Sequence, residues 1–259
     1  GGRHLKWWQT GLTLVAMVID PGIMGLAGLS FIYGFYVIQW NAVNIWITPW
    51  FAALFFIPVY WRSKIVTTPE YLEKRFNVQT RAFFSVIMVS MLVATMGYAV
   101  YMGSLLLHTL LGWPIYLNAA LIVFVAGFYV IYGGLRAMLA MDVFQAIFLL
   151  LTISAVGITG IVVLGGFDGI FAIEELGKSG RPLDSILPPV DWDITTETFM
   201  PLPAVFTWAV IASMAFFVCN FSIAQRLLAS KDEKHAQKAM IFNCVCNVFV
   251  LIFAYIAGV

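Results

Sequence analysis

The chain has 259 residues, of which 62% are hydrophobic and only 10% charged, and its mean hydropathy is +0.93. Those values exclude an ordinary soluble domain. A net charge of +1 says little about partners; the basic residues lie where membrane topology would put them and imply no nucleic acid.

A membrane span needs about 20 apolar residues. Seven stretches qualify: residues 12–37, 42–60, 82–111, 115–132, 138–164, 202–222 and 239–259. Trp7, Trp8, Tyr60, Trp61, Trp113 and Tyr116 fall at span ends, where aromatic side chains settle at the bilayer interface.

The first span carries Asp20-Pro21-Gly22 near its middle. Proline there removes a helical hydrogen bond and clashes with the preceding turn. Carbonyls freed at bilayer depth are tolerated only where protein or a watery cavity satisfies them. A carboxylate at that depth costs a further few kcal/mol. Interrupted helices of this kind hold ions and solutes. Asp20 then has two readings: a ligand for a hard cation or a proton, or the N-cap of an outer half-helix. Gly22, Gly25 and Gly28 form a smooth face that another helix can approach closely. Gln39, Trp40, Asn41 and Asn44 cluster at the start of span two, either binding a polar solute or facing water.

Residues 62–80 form a polar cytoplasmic loop. Thr68 as N-cap, Pro69 as first helical residue and acids in the first turn predict a short interfacial helix there. His108 ends span three. Asp142 lies near the inner end of span five, about 9 Å of helix beyond Arg136. It reads either as the partner of a basic residue or as a carboxylate on an ion pathway. Residues 165–201 form an acidic extracellular loop held extended by Pro182, Pro188 and Pro189. Span six has no internal Gly or Pro, with Pro203 at its start, and offers Ser213, Asn220 and Ser222 as polar groups. Span seven carries Asn243 and Asn247 on one face, placed to hydrogen-bond a neighbouring helix. Cys219, Cys244 and Cys246 all lie in spans, so no disulfide framework follows.

With the first span starting inside, twelve of the 14 basic residues face the cytoplasm and only Lys178 and Arg181 face outward. Five spans, an acidic loop and two more spans fit an inverted five-plus-five design cut short. The start at Gly1-Gly2-Arg3 and the end inside an apolar run read as a fragment of a longer protein. There is no phosphate-binding loop, no zinc-ligand spacing and no nucleophile–base arrangement, so catalysis has no support.

Three motifs carry a resemblance. Thr68-Pro69-Glu70-Tyr71-Leu72-Glu73-Lys74-Arg75-Phe76 resembles the TxPEFLEKRF signature of the sodium/solute symporter family, whose members include sodium/glucose, proline and sialic acid cotransporters. Tyr132-Gly133-Gly134-Leu135-Arg136-Ala137 with Asp142-Val143-Phe144-Gln145 resembles its YGGLxAVxxTDxxQ signature. Gln225-Arg226-Leu227-Leu228-Ala229-Ser230-Lys231 resembles QRxLAAK.

The resemblance implies an all-α membrane protein, a partial LeuT-like inverted-repeat bundle. The single transporter domain, residues 1–259, would supply core helices one to seven of an expected ten. It also implies a sodium half-site from the carbonyls of Val15 and Val18, completed by hydroxyls of an eighth core helix. Asp142 matches the family aspartate linked to sodium coupling, and Asp20 falls near an essential aspartate of proline-transporting members. The solute would touch Gly22, Gln39, Asn41, Ser213, Phe216 and Asn247. Gln39, Ser213, Phe216 and Asn247 replace a glutamate, an asparagine, a tyrosine and a lysine of sugar-transporting members, which disfavours a galactose-like solute.

The expected function is sodium-coupled symport of a small polar solute across the plasma membrane by alternating access, without enzymatic activity. A solute sensor fused to a signalling domain and a proton-coupled carrier are the alternatives.

Overall fold

A computed structural model describes residues 4–19, 25, 27–30, 48–63, 65, 67–163, 165–166, 211 and 213–256. Asp20, Gly22, Gln39 and Asn41 lie outside the described residues, as does most of the acidic segment 165–201.

The first helix, α1, is Trp7–Val18, with residues Thr10 to Val15 buried. It packs chiefly on the last helix and next on the long central one. Gly11 permits the closest approach. A Cβ built there would stand 2.5 Å from a ring carbon of Phe242 and 3.1 Å from the Ala239 carbonyl oxygen. At Gly25 and Gly28, where the sequence suggested close packing, a Cβ would meet nothing within 4 Å among the described residues. Helix α1 stops after Val18. Ile19 is extended (φ −95°, ψ 109°) and its N–H closes on the Val15 carbonyl at 3.1 Å. Residues 25 and 27–30 are helical again.

A wide π turn, Ala52–Phe56, leads into α2, Ile57–Arg62. The width follows from Pro58. In the turn the Ile57 N–H bonds to the Ala52 carbonyl. The same register would pair the Ala53 carbonyl with residue 58, a proline without an N–H. Gln237, on the last helix, donates its amide to that carbonyl instead (3.1 Å).

Helix α3 is Thr68–Arg75. Its N-cap is Thr67, so Thr68 and Pro69 each sit one position further into the helix than the sequence suggested. Helix α4, Val78–Leu111, starts at Asn77, whose side chain accepts from the Thr80 N–H (2.8 Å). It ends at Gly112 in the left-handed region.

Helix α5, Ile115–Val163, is a single run of 49 residues, interrupted at Gly134 (φ 58°, ψ −160°). An unbroken helix of that length would extend about 74 Å, more than twice the hydrocarbon thickness. The break divides it into two arms at the boundary expected between spans four and five. Asn118, fully buried, closes the α4–α5 hairpin by donating to the carbonyls of Ser104 (3.2 Å) and Trp113 (3.3 Å). Both helices turn large apolar side chains such as Phe83, Val86, Phe124 and Ile131 outward, as hydrocarbon-facing helices do.

A second π turn, Ala215–Cys219, precedes α6, Phe221–Leu228. Helix α7, Glu233–Ile256, follows. Asp232 caps it, accepting from the His235 N–H (2.7 Å) and lying 2.9 Å from the His235 ring. Those hydrogen bonds hold the Asp232 carboxyl below the usual carboxylate range. Helices α4, α5 and α7 are each long and apolar enough to cross a membrane.

One end of the bundle gathers the polar connections. Leu5 pairs with the strand-like turn at Ala229 and Lys231. Arg62 reaches Glu233 (3.8 Å), Lys74 pairs with Glu70 (2.9 Å), and Arg81 pairs with Glu73.

Candidate functional site

Two interrupted spans meet in the core. The first is broken after Val18. The second breaks at Asn220, whose backbone is extended (φ −65°, ψ 119°) between the π turn and α6. Leu14, Phe217, Val218, Ile223 and Leu227 share one buried cluster with residues of α2 and α7; Met17, Val18, Met214 and Cys219 pack against it. Both breaks therefore border the same apolar core.

The polar groups released at the second break have defined partners. The Ser222 N–H would bond to the Val218 carbonyl in a continuous helix. It bonds instead to the Asn220 side chain (2.9 Å). The freed Val218 carbonyl accepts from the Tyr60 hydroxyl on α2 (2.9 Å). Span six has no Gly, and its Pro203 stands at the opposite end from the break, so the sequence signalled this break only through Asn220, a good N-cap residue.

At the first break, Val15 is fully buried and its carbonyl takes the Ile19 N–H. Val18 is half-buried at the helix end. A helix leaves its last carbonyls short of ladder partners; the Val15 carbonyl, with the Ile19 N–H on one lone pair, keeps only its second lone pair for a cation. The other face of α1, with Leu12, Val15, Ala16 and Ile19, packs on Val143, Ala146 and Leu150 of α5. Asp142 is the residue just before Val143.

Asp142 and Arg226 are 8% and 7% exposed and form a buried ion pair between α5 and α6. The partner of Asp142 is thus Arg226, 84 residues away, rather than nearby Arg136. The Arg226 Nε (3.0 Å) and Nη2 (2.8 Å) both donate to Asp142 Oδ2, and Nη1 donates to the Ser222 carbonyl (3.2 Å). Sequence reasoning gave Arg226 a place in a motif and among the basic residues facing the cytoplasm, whereas it is buried against Asp142. The available signal was its register, since Ile223, Ala224 and Leu227 place it on the buried face of α6.

Of the solute-site residues within the described region, Ser213 is 2% exposed and its hydroxyl has no hydrogen-bond partner among the described residues. Phe216 is 37% exposed and meets Phe217 edge-on. Asn247, 2% exposed, donates its amide to the Asn243 carbonyl (2.9 Å) and side-chain oxygen (2.8 Å). That pair runs along one helix rather than between helices, and the Asn243 amide nitrogen has no partner among the described residues.

The model of the Sodium:solute symporter family matches residues 1–259. A sodium/glucose cotransporter from Vibrio parahaemolyticus is 28% identical over 267 residues, covering 100% of this chain and 48% of that protein. Sodium-coupled monocarboxylate transporter 2 from Homo sapiens is 27% identical, covering 100% of this chain and 41% of that protein. The chain therefore spans about half the length, or less, of these relatives. Among solved structures, a sodium-coupled sialic acid symporter in a substrate-bound outward-open state matches 99% of this chain and 52% of its own, with a TM-score of 0.81 and 22% identity. That likeness shows the fold: an all-α, partial LeuT-like bundle.

Proposed function

Since this chain belongs to the sodium:solute symporter family, we propose that it forms the ion- and solute-binding part of a sodium-driven symporter that works by alternating access. The observation that carries this reading is the pair of interrupted spans, ending at Ile19 and Asn220, that border one shared core. Unwound backbone at bilayer depth persists where it lines a binding cavity, and half-helix C-terminal carbonyls suit a hard cation. Sodium is assigned to the carbonyls of Val15 and Val18 with the carboxylates of Asp20 and Asp142. Its remaining ligands come from an element outside these residues, the eighth core helix of the family. The solute lies beside it, against Gly22, Gln39, Asn41, Ser213, Phe216 and Asn247.

A small polar solute fits the hydroxyl of Ser213 and the amides of Gln39, Asn41 and Asn247. Relatives are named for sugars and for monocarboxylates, so polarity is the shared requirement. The family is membrane-embedded; the plasma membrane is proposed with it, and the proposed cytoplasmic N-terminus rests on the positive-inside rule applied to Lys6, Arg62, Lys74, Arg81 and Lys231. Residues 62–80 and 165–201 are then the cytoplasmic and extracellular connections.

Solute uptake by the intact protein in proteoliposomes tests the reading. Uptake is expected to require an inward sodium gradient, and Asp142→Asn and Asp20→Asn are each expected to weaken sodium dependence by more than about tenfold, the loss of a charged ligand. Unchanged sodium dependence in both variants would remove the ion roles. Uptake driven by a pH gradient without sodium would make the protein a proton-coupled carrier. Sodium-dependent solute binding without any uptake would favour a sensor.

A further inference from the structure

We infer that Arg226 is a positioning residue for transport: its guanidinium clamps α6, which continues from the inner end of the sixth span, to α5 through Asp142. The clamp takes its purpose from the transport cycle proposed above, but its geometry is independent of that cycle.

Helix α6 has only 8 residues. Its hydrogen-bond ladder to the preceding turn is cut, because the Ser222 N–H is taken by Asn220 and the Val218 carbonyl by Tyr60. Extended Asn220 is thus the position that can absorb a change in backbone angle, as hinges at helix ends do. What remains to hold α6 is side-chain contact and its far end. Ile223, Ala224 and Leu227 bury into the core. Beyond the helix, Ser230 meets the buried Thr10 hydroxyl (3.0 Å), and the Leu5 carbonyl accepts from Lys231 (3.0 Å). These contacts tie α6 to α1 and to the chain before it, so the inner parts of the two interrupted spans are joined to each other.

The Asp142–Arg226 pair is different, because it joins that unit to α5. Apolar contacts slide at little cost, whereas separating a buried ion pair leaves each charge uncompensated. The pair therefore makes the closed position discrete. Arginine suits the task because its planar fork places Nε and Nη2 together on Oδ2 while Nη1 reaches the Ser222 carbonyl; lysine has no such fork. Among the described residues Asp142 Oδ1 accepts no hydrogen bond, so the carboxylate keeps an oxygen for a second cation. A cation drawn to Asp142 would compete with Arg226 for it and loosen α6.

The test uses Cys219, the half-buried thiol immediately before the hinge, in the intact protein with every other cysteine, Cys244 and Cys246 included, changed to Ser. Its labelling rate by a membrane-impermeant maleimide reports whether α6 has swung away. Arg226→Met and Asp142→Asn are each expected to raise that rate more than about tenfold, since each leaves one buried charge alone. Arg226→Lys is expected to give an intermediate rate. The exchanged pair, Asp142→Arg with Arg226→Asp, is expected to return labelling to the parental rate. Parental labelling in all three single variants, with protein that elutes as one species, would overturn the clamp. Should Arg226→Met or Asp142→Asn fail to fold, the milder lysine variant and the exchanged pair decide: parental labelling in the first or fast labelling in the second overturns the clamp.

Sodium-driven uptake separates this inference from the ion role given to Asp142. The exchanged pair is expected to label slowly yet to have lost sodium dependence, because its carboxylate now sits on α6. Slow labelling with full sodium-driven uptake would keep the clamp and remove the sodium role. Parental labelling in every variant, with sodium dependence lost in Asp142→Asn, would keep the sodium role and remove the clamp.

Discussion

Tyr60 shows how a single side chain can make a broken helix tolerable. Its hydroxyl satisfies the Val218 carbonyl that the break at Asn220 releases. Tyr60→Phe keeps the ring, including its edge contact with Tyr71 at 5.8 Å, and removes only the donor. A buried carbonyl left without a partner costs about 1–3 kcal/mol. The expected result is a lower thermal midpoint in detergent with helical content unchanged, read by circular dichroism. An unchanged midpoint would mean that the carbonyl does not depend on Tyr60. The sequence marked Asp142 as notable, since an acid inside an apolar stretch is costly wherever it lies. It did not disclose Arg226 as the partner, because pairing across 84 residues leaves no local spacing to read. Ser213 was legible as a polar group in a span, and its hydroxyl is buried without a hydrogen-bond partner among the described residues.

At the scale of elements, the long apolar runs were legible because membrane helices need only length and hydropathy to declare themselves. Helices α4, α5 and α7 fall where the runs lie. The break in the first span was legible too, because Pro21 is a strong local signal and the helix ends shortly before it. The break in the sixth span was not, since the π turn Ala215–Cys219 is built from ordinary helix-compatible residues and is imposed by packing against α2. The turn at Ala52–Phe56 follows from Pro58, yet its repair by Gln237 is a tertiary contact with no trace in local sequence. Gly134 is the clearest element-scale test. Its φ of 58° and ψ of −160° lie in a region that is essentially glycine-only. Gly134→Ala is expected to cost about 1–3 kcal/mol and to lower the thermal midpoint, whereas Gly127→Ala, within a regular part of the same helix with open space around it, is expected to be neutral or slightly stabilising. Equal midpoints for the two variants would show that the two arms of α5 do not need that backbone conformation.

The whole molecule links these parts through one core. Leu14 and Val218 belong to the same buried cluster, and the Thr10–Ser230 and Leu5–Lys231 contacts tie α1 to the far end of α6. Sodium held by the α1 carbonyls would therefore stabilise more than the turn that binds it. A ligand that binds only the folded state adds RT ln(1 + [L]/Kd), about 2.7 kcal/mol at a hundred times Kd. Each kcal/mol moves the midpoint of a 150–250-residue domain by about 2–4 °C, and the unfolding entropy grows with length. For a protein of the relatives' length, about twice that of this chain, the shift per kcal/mol is about halved, giving an expected rise of roughly 3–5 °C. The intact protein should therefore melt that much higher in saturating sodium than in choline at equal ionic strength. Asp142→Asn should lose most of the difference, because its carboxylate contributes to binding in the proposed site. Tyr60→Phe should start from a lower midpoint and still gain the full increment, because Tyr60 supports the break and holds no ion. A sodium increment lost equally in both variants would mean that the ion reads the general integrity of the bundle, and the assignment of Asp142 to the ion would fail with it.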